Sequence, residues 1–213
     1  MLPSEAYPET ISRLLNYPTG LSDYLIELSD YTIELSDSLF IRLHLSGAMS
    51  ILTGAEGRYL VESMINPEIQ TQMCGVELTL QRVERFISAG ALAYDNKERK
   101  LPDTDEVDFD ESGWVDLERG SYLVTFNEIV SIPRDVAALA RSRSSLLRSG
   151  ATLETALWDP GYRGRSQSLL VVYNPAGLRL KKNARLLQLV FMRLDGDAEK
   201  TYAGAYQGEN IRQ

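Results

Sequence analysis

Residues 142–174 read SRSSLLRSGATLETALWDPGYRGRSQSLLVVYN, and this stretch decides the fold. Two runs rich in Leu, Val and Thr, "ATLETAL" and "SQSLLVVYN", flank Asp159-Pro160-Gly161. Proline presets φ for such a turn and glycine supplies its left-handed residue. Two strand-like runs about a tight turn predict a β-hairpin. The pattern continues outward. "LRL" and "RLLQLVFMRL" follow, divided by turn signals at Asn174-Pro175 and Lys182-Asn183. "SYLVTF" and "EIVSIP" precede, and Pro133 stops them. Asp135 to Arg148 predicts one or two short helical turns. Thr79 to Gly90 predicts the clearest helix: Leu80, Val83, Phe86 and Ile87 share one face, Thr79 can cap the start and Gly90 can close the end. Residues 96–112 are dense in acids and predict a loop or turn. Many short strands with two minor helices predict a mainly β chain, sandwich or barrel-like.

The first 70 residues read differently. "SDYLIEL" at Ser22 to Leu28 recurs as "SDYTIEL" at Ser29 to Leu35. As a helix, Leu21, Leu25, Leu28, Thr32 and Leu35 would form a seam. Tyr, Ile and Thr favour strands instead, and Asp with Ser at each boundary favours turns. The reading is an N-terminal extension over residues 1–70, of short strands packed on the core, ahead of a main domain over 71–213.

Composition narrows the chemistry. The chain has 213 residues, 44% of them hydrophobic, enough for one large domain. No apolar run reaches the length of a transmembrane helix. Glu5 and Glu9 stand where a secretory signal would be basic and then apolar. Cys74 is the single cysteine, so no intrachain disulfide forms, which fits a cytoplasmic setting. His44 is the single histidine. That excludes a zinc site built on several His and Cys ligands, and a zinc-dependent deaminase with it. A Ser-His-Asp triad would have to use His44, whose surroundings, "LFIRLHLS", read as a strand. Catalysis is left to carboxylates, arginines or a bound cation.

The net charge of −8 is uneven. Residues 134–193 carry eleven Lys and Arg against three acids, a balance of +8, and the rest of the chain stands at −16. An acidic protein with one basic segment points to a local anionic ligand, with no general nucleic-acid or membrane partner. Within that segment, "ARSRSSLLRSG" (Ala140 to Gly150) sets Arg141, Arg143 and Arg148 among serines. Guanidinium forks and hydroxyls are the donors a polyphosphate needs. A solvated basic turn accounts for the composition equally well. "WDPGYRG" (Trp158 to Gly164) puts a carboxylate, a tyrosine and an arginine on one loop. A carboxylate beside a phosphate site can orient water or a cation.

These segments, in this order, resemble the dCTP deaminase and dUTPase superfamily. Residues 142–174 are similar to its RSSLAR segment, its IDPG-type hairpin and a strand ending in Asn. "ARLLQLVF" resembles its "MRIGQLxF" strand, and "YAGAYQG" (Tyr202 to Gly208) its C-terminal Y-x-GKYQG segment. "CGVELTLQRVERF" resembles the archaeal dUTPase-like branch. The resemblance covers roughly residues 70 to 210. It implies a distorted β-barrel or jelly-roll-like fold, a homotrimer with active sites between subunits, and an Mg2+-bound deoxynucleoside triphosphate as ligand, with dUTP hydrolysis as the activity. By the same resemblance, Arg143, Ser144, Ser145 and Arg148 form the phosphate group of the site. Asp159 is the catalytic carboxylate of the hairpin, and Tyr162 packs on deoxyribose. Gln188 helps hold the triphosphate, and Tyr202, Tyr206 and Gln207 belong to the closing segment. No protein side chain is expected on Mg2+, which the triphosphate carries. Deaminases of this superfamily use a glutamate in the strand after the hairpin; here that position is Val171. The lysine of the GKYQG segment is Ala205, and the glycine-rich fifth motif of trimeric dUTPases is absent.

Overall fold

The computed structural model describes residues 50–211 and, ahead of them, the backbone of three strands. These are β1 (Tyr24–Leu28), β2 (Tyr31–Leu35) and β3 (Arg42–Leu45), which form an antiparallel sheet of their own. The two copies of the duplicated heptapeptide face each other, with Ile26 opposite Ile33. The strand reading of the repeat therefore holds over the helical one. His44 lies in β3, opposite Thr32, as a strand residue.

Residues 49–213 make a separate compact unit. It opens with β4 (Ser50–Ile51), α1 (Gly54–Gly57), β5 (Val61–Glu62), α2 (Pro67–Gln70), β6 (Thr71–Gln72) and the long β7 (Gly75–Phe86). The segment 50–70, which the sequence assigns to the extension, is part of this unit, and Leu52 and Val61 are buried in its core. Then follow β8 (Thr104–Glu106), β9 (Trp114–Leu117), β10 (Gly120–Phe126), β11 (Ile129–Ser131) and β12 (Val136–Ser142). The last elements are α3 (Ser144–Arg148), β13 (Ala151–Glu154), β14 (Arg163–Gly164), β15 (Gln167–Val172), β16 (Leu178–Lys181) and β17 (Arg185–Arg193).

The main sheet runs β12-β17-β7-β10-β15-β13, with β4 on β17 and β6 and β8 on β7. Smaller sheets, β14-β11-β5 and β16-β9, complete a mainly β fold of the expected distorted, jelly-roll-like kind. The core lies where the strands' inner faces meet, around Leu78, Phe126, Leu170, Leu187 and Phe191.

One expectation fails, because sheet pairing overrides local pattern. The segment expected to be a helix over Thr79–Gly90 is strand as far as Phe86. Opposite β10, Phe126 faces Leu80 but Thr125 faces Arg82, so Gln81 is the extra residue of a bulge. One inserted residue flips the alternation of side chains. Leu80 and Val83, three apart, thus both point into the core, and the spacing imitates a helix. Over Asp135–Arg148 only α3 is helical. The alanine-rich "VAALARS" is β12, paired residue for residue with β17. Within the acidic segment 96–112, Thr104–Glu106 forms β8 along the edge of β7, and Asn96–Glu98 makes one 3-10 turn. The other strand readings hold, including the hairpin of β13 and β15, where Leu153 faces Leu170.

Candidate active site

The hairpin turn is held rigidly. Tyr162 N donates to Asp159 O at 3.1 Å, closing the Asp-Pro-Gly turn. Gly161 takes φ of +86°, where a β-carbon would strain the backbone, and that carbon would also lie 2.6 Å from Thr201 Cβ. Ile132 binds both sides of the turn: its carbonyl accepts from Gly161 N and its amide donates to Tyr162 O. Trp158, just before the turn, exchanges two backbone bonds with Ala138 of β12. The turn therefore sits at a fixed place on the sheet.

Beside it opens a cleft of about 600 Å3. Asp159 lies exposed on its rim, and the buried Tyr162 forms part of its wall. Tyr202 and Tyr206 of the C-terminal tail line the same cleft. The rings of Tyr162 and Tyr202 meet edge to face, with centroids 5.7 Å apart. Gln207 does not line the cleft but stitches the tail to the hairpin. Its Oε1 accepts from Arg163 N and its Nε2 donates to Gly161 O, both at 3.0 Å. Glu209 completes the seam by accepting the Tyr162 hydroxyl. Burial pushes the Glu209 carboxyl above the usual carboxylate range, against the pull of that bond. Burial, and then the neighbouring Glu209, raise the Tyr162 phenol.

The arginine-serine group lies elsewhere. Arg143, Ser144, Ser145, Arg148 and Gln188 are absent from the walls of this cleft. Arg143 Nε donates to Glu77 Oε1 at 2.5 Å, and Arg185 Nη1 to Glu77 Oε2 at 2.8 Å. A single buried carboxylate thus holds two guanidinium groups. Gln188, on β17 opposite Glu77, donates to Cys74 O. Ser144, Ser145 and Arg148 are exposed on α3. A second, smaller hollow, lined by Arg141, Ser142 and Leu147, shares Ala156 and Leu157 with the cleft. The arm carrying Ala156 and Leu157 therefore stands between the two.

A model of the dCTP deaminase-like family matches residues 51–194, well over half of the sequence. The chain belongs to the dCTP deaminase-like family. A relative from Methanosarcina mazei named "probable deoxyuridine 5'-triphosphate nucleotidohydrolase" is 55% identical over 151 residues, 71% of this chain and 88% of its own length. A "deoxyuridine 5'-triphosphate nucleotidohydrolase" from Methanocaldococcus jannaschii is 39% identical over 142 residues, 66% of this chain and 89% of its own. Among solved structures, a 2'-deoxycytidine 5'-triphosphate deaminase from Agrobacterium tumefaciens shares the fold. Its TM-score is 0.53 at 19% identity, covering 68% of this chain and 48% of that one.

Val171 sits half-buried in β15, between Ser121 and Thr152, and does not line the cleft. The residue that β15 does bring to the cleft is Gln167, with Glu84 of β7 beside it. Sequence reading missed both, because Glu84 fell in the supposed helix. It also missed Glu209 and Glu77, although each stands inside or next to a motif quoted for the resemblance. Glu128 is a further omission. It is wholly buried and accepts from Thr79 N, Thr79 Oγ1 and Gln70 Nε2.

Proposed function

We propose that this chain hydrolyses dUTP to dUMP and pyrophosphate, in the cytoplasm, as a homotrimer. The observation that carries the reading is Asp159, a solvent-reachable carboxylate on a rigid turn at the rim of a nucleotide-sized cleft. The names of the archaeal relatives support it. So does Val171, the position at which a deaminase of this superfamily would carry its glutamate.

In this reading Asp159 orients a water and takes its proton as the oxygen attacks the α-phosphorus. The bond from that phosphorus to the bridging oxygen breaks, and pyrophosphate leaves. The Tyr162 ring, its hydroxyl already engaged by Glu209, offers a flat wall to the deoxyribose. Among the described residues no group of three or more His, Cys, Asp or Glu side chains could cage a cation. In this reading Mg2+ would come with the triphosphate and, when bound, would neutralise phosphate charge. The arginine-serine group lies off the cleft of its own chain. A neighbouring copy in the trimer brings Arg143, Ser144, Ser145, Arg148 and Gln188 to the phosphates. Among the described residues no helix is long and apolar enough to cross a membrane.

One observation favours a second reading. Glu84 is a carboxylate in the cleft wall and could replace the missing glutamate of a deaminase. However, it already accepts from Arg82 Nε, Thr104 Oγ1 and Gln167 Nε2, which suits an anchor more than a proton shuttle. Incubation with dUTP and with dCTP, each with Mg2+, separates the readings. Pyrophosphate from dUTP without ammonia from dCTP is expected. Ammonia from dCTP would establish the deaminase, and neither product would leave a non-catalytic nucleotide-binding trimer. A monomeric mass by light scattering at micromolar concentration would overturn the assembly.

A further inference from the structure

The inner wall of the cleft holds a polar cluster that the proposed reaction does not use. Glu84 of β7, Thr104 of β8 and Gln167 of β15 all line it. Gln167 Nε2 donates to Glu84 Oε2 at 3.3 Å and to Thr125 Oγ1 at 3.1 Å. Glu84 is itself fixed by Thr104 Oγ1 at 2.7 Å and by Arg82 Nε at 3.0 Å. A carboxylate can only accept, so chemistry decides which way the amide faces. The NH2 end must point at Glu84. Oε1 is the atom left over, and it takes no hydrogen bond from any described residue. Trp158, in the same wall, keeps a buried indole N–H without a hydrogen-bond partner. A polar group as enclosed as this N–H is nearly always partnered, so the wall is unfinished in the protein alone.

Around these groups the wall is apolar, through Phe86, Leu123 and Leu157, as a flat base requires. Uracil carries a donor, N3–H, between two carbonyl oxygens. Cytosine carries a lone pair at N3. An acceptor of fixed sense pairs with the first and opposes the second.

We propose that Gln167 Oε1 accepts the N3–H of uracil and so selects uracil over cytosine, with Glu84 as the positioning residue that sets the sense of the amide. The inference rests on the cleft being the nucleoside site of the reading above. Glu84→Gln would give Gln167 a partner able to donate or accept, and the amide would lose its fixed sense.

The test measures binding rather than turnover, so that its failure is separate from that of the hydrolase reading. The protein is titrated by calorimetry with a non-hydrolysable dUTP analogue and its dCTP counterpart, each with Mg2+. Gln167→Met, close in shape but without the amide, should weaken the uracil nucleotide at least tenfold and the cytosine nucleotide less than threefold. Glu84→Gln should narrow the preference in the same direction, and Glu84→Asp, which keeps an acceptor, should restore part of it. In the hydrolysis assay Gln167→Met should raise KM for dUTP with kcat within about threefold. Circular dichroism confirms folding, and Glu84→Gln carries the test if Gln167→Met does not fold. Gln167-dependent preference in a protein that consumes no dUTP would keep this inference and sink the hydrolase reading. Normal hydrolysis with an unchanged base preference in folded Gln167→Met and Glu84→Gln would overturn the inference alone.

Discussion

Tyr162 donates its hydroxyl to Glu209 Oε1 at 2.8 Å, and this bond clasps the C-terminal tail onto the hairpin of the same chain. Around it Gly208 N donates to Arg163 O and Arg165 N to Glu209 O, so the seam is continuous. Gly164 makes the clasp possible, since a β-carbon there would lie 2.5 Å from the Tyr162 hydroxyl oxygen.

That clasp predicts a pH response of definite sign. Burial raises Glu209 above its ordinary value of 4.5. The docked tail therefore binds a proton more readily than the free tail. Docking is most favourable below pH 4.5 and weakens as pH rises through the raised value. Glu209→Gln keeps an acceptor for Tyr162 and removes the titration. Amide exchange over residues 201–210, corrected for intrinsic rates, should speed up with pH in the wild type and stay level in Glu209→Gln. Equal pH response in both proteins would detach Glu209 from the clasp.

A second prediction concerns stability. Glu128 is fully buried, and every group facing it donates. Burial pushes its carboxyl up, while the bonds from Thr79 and Gln70 pull it down. Glu128→Ala leaves Thr79 N–H and the Gln70 amide short of an acceptor in the interior, at a cost of about 3 kcal/mol. Glu128→Gln keeps the shape and should cost less. Urea unfolding with an unchanged m-value reads the difference. Similar midpoints for Glu128→Ala and the wild type would show that water replaces the carboxylate.

The sequence makes the hairpin legible because Asp159-Pro160-Gly161 needs only local chemistry to turn. It makes Asp159 and Tyr162 legible for the same reason, since both sit on that turn. What it hides depends on pairing at a distance. β7 reads as a helix because the bulge at Gln81 is visible only opposite Thr125 and Phe126. The extent of β12 is hidden because pairing with β17 sets it, and the expected helical turn within Asp135–Arg148 is confined to α3. Glu77 and Glu128 give no local signal, as their partners lie between 49 and 108 residues away, apart from Gln70, seven before Glu77.

Arg148 and Arg143 separate binding from folding. Arg148 is exposed at the last turn of α3. Arg148→Ala should change stability by less than about 0.5 kcal/mol and lower kcat/KM for dUTP at least tenfold, the scale of a charge-assisted hydrogen bond. Arg143→Ala should also lose activity. It further leaves Glu77, 4% exposed, with one arginine instead of two. Its stability should therefore fall by about 1–3 kcal/mol. Thermal melts alongside kinetics distinguish the two variants. Unchanged kinetics in folded Arg148→Ala would remove it from the phosphate site.

The sharpest prediction joins Asp159 and Val171. Asp159→Asn keeps the size of the side chain and most of its hydrogen bonding but cannot take a proton from water. It should bind dUTP normally and lose turnover by about 10²-fold or more, the scale of general-base catalysis. Val171→Glu places a carboxylate on β15 four residues beyond Gln167. At about 3.3 Å per strand residue that is roughly 13 Å along the strand. It would lie between Ser121 and Thr152 and away from the cleft. It should release no ammonia from dCTP, because deamination needs the carboxylate at the base with an oriented water. It should also lower stability, since a half-buried charge there has no ionic partner opposite it. Calorimetric binding, pyrophosphate release and ammonia release on the two variants and the wild type test this together. Full dUTP hydrolysis by Asp159→Asn would remove Asp159 from the mechanism while leaving the fold untouched. Ammonia from Val171→Glu would mean that the base sits beside Val171, further along β15, and not at Gln167.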